Sequence, residues 1–368
     1  MRWALLFVST GLSCAQPTPT TLESPRDFQV FQRQTRLQGV VIAAGNTSVD
    51  CDRAQGRLEP PARWQALVLD RKTGSFHGVL RVPAGGWYRF ELRLSKAGHT
   101  VETLEVGHVG VGEVFVVAGQ SNATNYGEVR QQTRSGMVAA FSGREWSIAN
   151  DPQPGVQDNS KKGSFIPAFG DALYEKYRVP IGVAAAGHGS TSARQWLPNG
   201  DRFSTPPTMS KFVHNVGPGV WESDGVLFDG MMKVISALGR GGFRALLWHQ
   251  GESDAHQAGE HAITAEEYRR LLVRIIEASR REAGWDFPWF VAQASYHSPR
   301  DPSAPEIRLA QKSLWQAGLA VAGPDTDRLT GSNRQNDGLG VHFSDKGLQA
   351  HGRLWAEKVE AWLDTVLE

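Results

Sequence analysis

Four short polar clusters in this chain carry residue types suited to acyl-transfer chemistry. Gly119-Gln120-Ser121-Asn122 follows the apolar run 114–118, and Gly187-His188-Gly189, with Arg194 and Trp196 beyond it, follows 181–186. His249-Gln250-Gly251-Glu252-Ser253-Asp254 follows 243–248, and Asp337-Gly338-Leu339-Gly340-Val341-His342 lies near the C-terminus. A serine hydroxyl becomes a nucleophile when a base removes its proton. A histidine is the usual base, and a carboxylate can fix its tautomer and stabilise its charged form. Backbone N–H groups beside glycines, helped by side-chain amides, can hold an oxyanion as it develops. Ser121 would serve equally well as a helix N-cap, and position alone does not separate the two roles.

Each of the first three clusters ends a short run rich in β-branched or aromatic residues, the pattern of a strand buried in a parallel sheet. Open α/β sheets bind ligands beyond the carboxyl ends of such strands. A further run, 319–322, reads the same way, and helical patterns lie near 166–177, 228–239, 264–282 and 306–318. Thr264 and Glu267 have capping-box spacing ahead of an apolar face made by Tyr268, Leu271, Leu272, Ile275 and Ile276. Ser344 can cap a last helix carrying Leu348, Leu354, Trp355, Val359 and Trp362. The fold class expected for 111–368 is therefore α/β, a parallel sheet with helices on both faces. Residues 26–110 show only strand patterns, the clearest being the alternation from Trp87 to Leu94, and predict a small antiparallel β-sandwich domain. Its aromatic residues are expected to pack a core rather than form a sugar-binding face.

The 368 residues carry 39 basic and 38 acidic side chains, a net charge of +1, which makes no electrostatic case for nucleic acid or an anionic membrane. The N-terminus reads as an export signal over 1–15: Arg2, the apolar stretch Trp3–Val8, then Ser13-Cys14-Ala15 as a cleavage site. The apolar stretch is too short to span a bilayer. Cys14 adds a lipoprotein alternative, so the expected location is secreted or periplasmic. Residues 16–25 read as a linker, and removal of 1–15 would leave Cys51 without a partner for a disulfide. His249 and His256 match no common metal spacing, and neither a metal nor another cofactor is expected.

In combination, Gly-Gln-Ser-Asn, Trp-His-Gln-Gly-Glu and a late Asp…His pair resemble the SGNH-hydrolase superfamily, and within it the sialate O-acetylesterase-like carbohydrate esterases of family 6. The resemblance covers about 113–350, and the β-rich segment before it resembles the domain that precedes the esterase in sialate O-acetylesterases. It implies Ser121 as nucleophile, His342 as base, and Gly189 or Gly187 with the Gln250 side chain at the oxyanion; Gln120 and Asn122 are expected close to substrate beside Ser121, and Arg194 either packs its loop or touches substrate. The superfamily's acid three residues before the histidine is replaced by Leu339. The expected orienting acid is therefore Asp337, with Glu252 as a second partner or substitute. The activity implied is removal of O-acetyl groups from a carbohydrate, on sialic acid or on plant or bacterial glycans. Two rivals are a carbohydrate-binding surface protein whose site has decayed and a short-chain lipase. Gly-x-Ser-x-Gly of the α/β-hydrolases is excluded by Ala123.

Overall fold

The structure, a computed structural model, describes residues 20–60 and 63–367. The expected export signal, Cys14 and residues 16–19 of the expected linker lie outside the described residues. Strands β1 (Thr21–Ser24), β2 (Gln29–Gln32), β3 (Gln38–Asn46), β4 (Arg53–Glu59), β5 (Gln65–Leu69), β6 (Ser75–Pro83) and β7 (Gly85–Lys96) come first, then the long β8 (His99–Gly119). β9 (Val138–Phe141), β10 (Trp146–Ile148) and helix α1 (Ile166–Tyr177) follow, then β11 (Ile181–Ala185), a three-strand ribbon of β12 (Arg202–Phe203), β13 (Val213–Gly217) and β14 (Val220–Ser223), and α2 (Val226–Leu238). The chain closes with β15 (Ala245–His249), α3 (Ala265–Ala283), β16 (Trp289–Gln293), α4 (Pro305–Gln316), β17 (Val321–Asp325) and α5 (Asp345–Val366).

The second half is a parallel sheet in the order β9-β11-β8-β15-β16-β17, with β10 antiparallel at the β9 edge. Its strands are buried on both faces, so they read as continuous apolar runs yet sort their side chains with period two. Phe115 and Val117 of β8 face a core completed by Phe169 and Leu173 of α1 and Trp355 and Val359 of α5. Val114, Val116 and Ala118 face the other core, built with Met231 and Ile235 of α2, Leu271 and Ile275 of α3, and Leu314 of α4. Each Val, Leu, Ile, Phe or Met among them contributes roughly 1.5–3 kcal/mol by leaving water. The caps at the helix starts hold as expected: Thr264 Oγ1 accepts from the Glu267 N–H, and Ser344 Oγ from the Gly347 N–H. The return arm of the expected capping box is absent, because the Glu267 carboxylate accepts from Thr205 Oγ1 instead.

The N-terminal strands differ from expectation in three respects. Thr21–Ser24, inside the expected linker, pairs antiparallel with β3. β2 pairs parallel with β8, in a region expected to be antiparallel throughout. Most important, the expected boundary at 110–111 falls inside a single strand. β8 pairs antiparallel with β7 over residues 99–111 and then parallel with β11 and β15 over 113–119. The change of partners is fastened by the buried Glu113, whose carboxylate accepts from Arg33 Nε at 2.7 Å, Arg244 Nε at 2.8 Å and Gln32 Nε2 at 3.0 Å. Removal of either arginine would leave part of a buried charge uncompensated, the costly way to break such a network. The one strand that carries Ser121 at its end is thereby anchored from both halves.

Candidate active site

The carboxyl ends of β8, β11 and β15 lie side by side, which brings the first three polar clusters to one edge of the sheet. Gly119 ends β8 with φ +126°, and a Cβ there would lie 2.1 Å from the His249 carbonyl oxygen, so only glycine lets the two strands lie this close here. The chain then enters a 3-10 turn over Ser121–Ala123, and no side-chain cap bond forms at its start. The N-cap role left open for Ser121 is thus not the one it plays. Ser121 Oγ makes no hydrogen bond among the described residues.

Asn122 connects the serine turn to the other two elements of the site. Its Nδ2 donates to Glu252 Oε1 at 2.8 Å and to the Val341 carbonyl, next to His342, at 3.3 Å. Ser121 and His342 do not share a hydrogen bond here; catalytic contacts of this kind commonly close only as substrate binds. The His342 ring lies against Tyr126, centroids 5.1 Å apart, and its Nδ1 is 2.9 Å from Gln335 Nε2. Burial lowers the His342 pKa to about 4; Glu252 pulls it upward, while Arg334 and Lys162 push it further down.

Glu252 is fully buried. Burial works to raise its carboxyl, but His249 and the Asn122 amide outweigh that and hold it at about 2. His249 Nε2 lies 3.3 Å from Glu252 Oε1, and its Nδ1 faces His351 Nε2 at 3.0 Å. That nitrogen of His351 already receives the Trp355 indole N–H, so His249 is the donor in the pair. Glu252 Oε2 is buried with no hydrogen-bond partner among the described residues.

Asp337, the expected orienting acid, is not brought to His342. It follows Asn336 in the left-handed region, φ +54° and +55°, and the Gly338 N–H closes onto the Gln335 carbonyl. That turn points the tip outward: Asp337 is exposed and makes no hydrogen bond or ion pair among the described residues, and Leu339 is 67% exposed.

Three other expected contacts are structural instead. Gln250 is fully buried; its amide N donates to Asp254 Oδ2 at 2.7 Å and its oxygen accepts from Tyr268, so it is not free to hold an oxyanion. Gln120 Oε1 accepts from Gln250, from the Gly251 N–H and from the Ser253 N–H, which shapes the 249–254 loop. Arg194 is completely buried and donates to the carbonyls of Pro206 and His261. Asp254 joins the second cluster to the third by accepting from Ser192 Oγ and the Ala193 N–H.

Gly189 stays at the site, but its N–H donates to Asp158 Oδ2 at 2.6 Å. In this structure that N–H is therefore engaged by a carboxylate, and an oxyanion would have to displace Asp158 from it. Sequence reasoning missed Asp158, Tyr126 and Gln335, since none lies in a recognisable cluster. His249 and His256 stay apart, the latter stacked on His297. No group of three metal-binding side chains occurs among the described residues. A cleft of about 1290 Å³ lined by Phe31, Trp146, Arg240 and Trp285 contains none of the site residues.

The family described as "Carbohydrate esterase, sialic acid-specific acetylesterase" matches residues 111–361. Among solved structures, a carbohydrate acetylesterase from Xanthomonas citri is 18% identical, with a TM-score of 0.53 over 93% of this chain and 74% of that one. A protein from Arabidopsis thaliana is 19% identical, with a TM-score of 0.49 over 68% of this chain and 98% of that one. The first shares the fold. Comparison with curated proteins finds no match.

Proposed function

The chain belongs to the family of sialic acid-specific acetylesterases among the carbohydrate esterases and is a carboxylic ester hydrolase; on that premise we propose that it is an exported serine esterase that releases acetate from an O-acetylated carbohydrate. Ser121 Oγ attacks the acetyl carbonyl while His342 takes its proton, and the sugar hydroxyl leaves with that proton. Water then attacks the acetyl-serine by the same route in reverse. The observation that carries this reading is the junction at Asn122, which ties the turn holding Ser121 to the buried carboxylate of Glu252 and to the loop holding His342. The Ser121 and Gly189 N–H groups receive the oxyanion, each donor worth roughly 3 kcal/mol in the transition state. Gly189 can do so once Asp158 releases it. Export rests on the pattern of residues 1–15.

Release of acetate from a panel of acetylated sialic acids, xylans and other glycans tests the substrate class. Lack of release from all of them, with simple acetyl esters still cleaved, would remove the carbohydrate assignment from this chain. Ester length gives a second test. The acetyl-specific reading predicts rates that fall from acetate through butyrate to near zero at octanoate. Rates that rise along that series would favour a lipase.

The pH profile follows from His342. The base must be neutral, and its half-buried ring stays neutral until the pH approaches about 4. A profile of kcat/KM should therefore stay level from neutral pH to about 5 and fall only below that, instead of breaking near the ordinary histidine value of about 6.5. A break at 6 or above in the wild-type protein would contradict the burial of His342.

A further inference from the structure

Leu339 removes the acid that would ordinarily face this histidine, and the structure leaves Asp337 in solvent. We propose that Gln335 takes over the positioning part of that role: its carboxamide oxygen accepts the Nδ1–H of His342 and leaves Nε2 free to receive the proton of Ser121. This rests on the reading of Ser121 and His342 as nucleophile and base.

The two residues are held together by more than one contact. The Gln335 N–H donates to the His342 carbonyl at 3.0 Å, in a narrow loop closed by the antiparallel bridge between Arg334 and Phe343. The Gln335 carbonyl accepts from the N–H groups of Gly338 and Gly340. Its side chain lies across Gly340, where a Cβ would come within 2.4 Å of Gln335 Cγ. Gly340 has no left-handed backbone to require glycine; the Gln335 side chain is what requires it. With Tyr126 on its face and Gln335 at Nδ1, the imidazole is fixed in both tilt and rotation.

The orientation of the carboxamide decides the tautomer. With Nε2 of Gln335 toward the ring, as in the 2.9 Å contact, Nδ1 accepts and the ring proton sits on Nε2, which then cannot act as base. A half-turn about the last side-chain bond exchanges nitrogen and oxygen in the same space. No other hydrogen bond of the amide among the described residues opposes that turn. In the turned state Nδ1–H donates to Oε1, and Nε2 carries the lone pair. During attack the Oγ electron pair forms the bond to the acyl carbon and the Oγ proton passes to Nε2. The Nδ1 proton stays on the ring, and Gln335 neither gains nor loses one.

A neutral amide orients the ring but adds no charge. The charge comes from the buried Glu252, which draws the His342 pKa upward and is joined to the His342 loop through Asn122. The two tasks of one orienting carboxylate are divided between two residues here.

The test compares pH profiles and the kcat and KM of the full chain on an acetyl ester for the wild type, Gln335→Met, Gln335→Glu and Gly340→Ala. Gln335→Met should lower kcat on the order of 100-fold with KM nearly unchanged, since a lost positioning contact acts on the chemical step. Gln335→Glu should recover most of that loss and move the acid limb upward by about one to three pH units, because it places a carboxylate on Nδ1. Gly340→Ala should lower kcat in the wild-type background and add little to Gln335→Met, as residues acting through one contact do. A Gln335→Met enzyme with wild-type kcat, or an acid limb left in place by Gln335→Glu, would overturn the proposal. Should Gln335→Met fail to fold, the limb of Gln335→Glu decides alone. Full turnover in His342→Asn would instead bring down the nucleophile–base reading itself, so the two failures are distinct.

Discussion

Ser121→Ala will lower kcat by on the order of 10⁶-fold, the scale seen when the nucleophile of a serine hydrolase is removed. The protein should remain folded. Ser121 Oγ makes no hydrogen bond among the described residues, so its removal leaves no donor or acceptor stranded, and the turn is held instead by backbone bonds from Ala123 to Gln120 and from Thr124 to Ser121. A thermal melt should give a midpoint close to that of the wild type. Acetate release near the wild-type rate from a folded Ser121→Ala protein would refute the serine mechanism outright.

Glu252→Gln will cost far more than Asp337→Asn. Glu252 is the buried carboxylate that shares Asn122 with the His342 loop and offsets the desolvation of the imidazole. Its neutralisation removes the charge that stabilises the imidazolium and takes away the partner of His249. A loss of roughly 10²- to 10⁴-fold in kcat is expected, the range of general-base contributions. Glutamine keeps an oxygen for Asn122, which limits the structural damage, and circular dichroism will show whether the fold persists. Asp337→Asn changes an exposed tip with no contacts and should leave kcat within about twofold, as surface changes usually do. The opposite ranking would return the acid's role to Asp337. It would require a loop unlike the one that two successive left-handed residues impose at 336–337.

The positions of the strands and helices around the site were legible in the chain because local periodicity and buried strands leave a direct trace. The runs 181–186 and 289–294 coincide with strands to within a residue, the run 114–118 is the end of a longer one, and 166–177 is a helix over the range its pattern predicts. The continuity of β8 was not legible. Its first half alternates and its second is buried throughout, so the change in pattern reads as a boundary, whereas it marks only a change in what the strand's two faces touch.

The sequence by itself determined that Ser121, Glu252 and the glycine-rich clusters stand at strand ends, since each follows an apolar run that must be a buried strand. It also determined that the acid three residues before His342 is missing. Only the tertiary structure decided which polar groups reach one another. Gln250, Gln120 and Arg194 belong to motifs that look catalytic, yet their hydrogen bonds are consumed by Asp254, by the 249–254 loop and by buried carbonyls. Asp337 is near His342 in the chain but turned into solvent, and Glu252 is ninety residues away but buried beneath the same loops. Sequence separation constrains neither outcome. Whether a side chain is free for chemistry depends on which neighbours satisfy its donors and acceptors, and those neighbours come from remote parts of the chain.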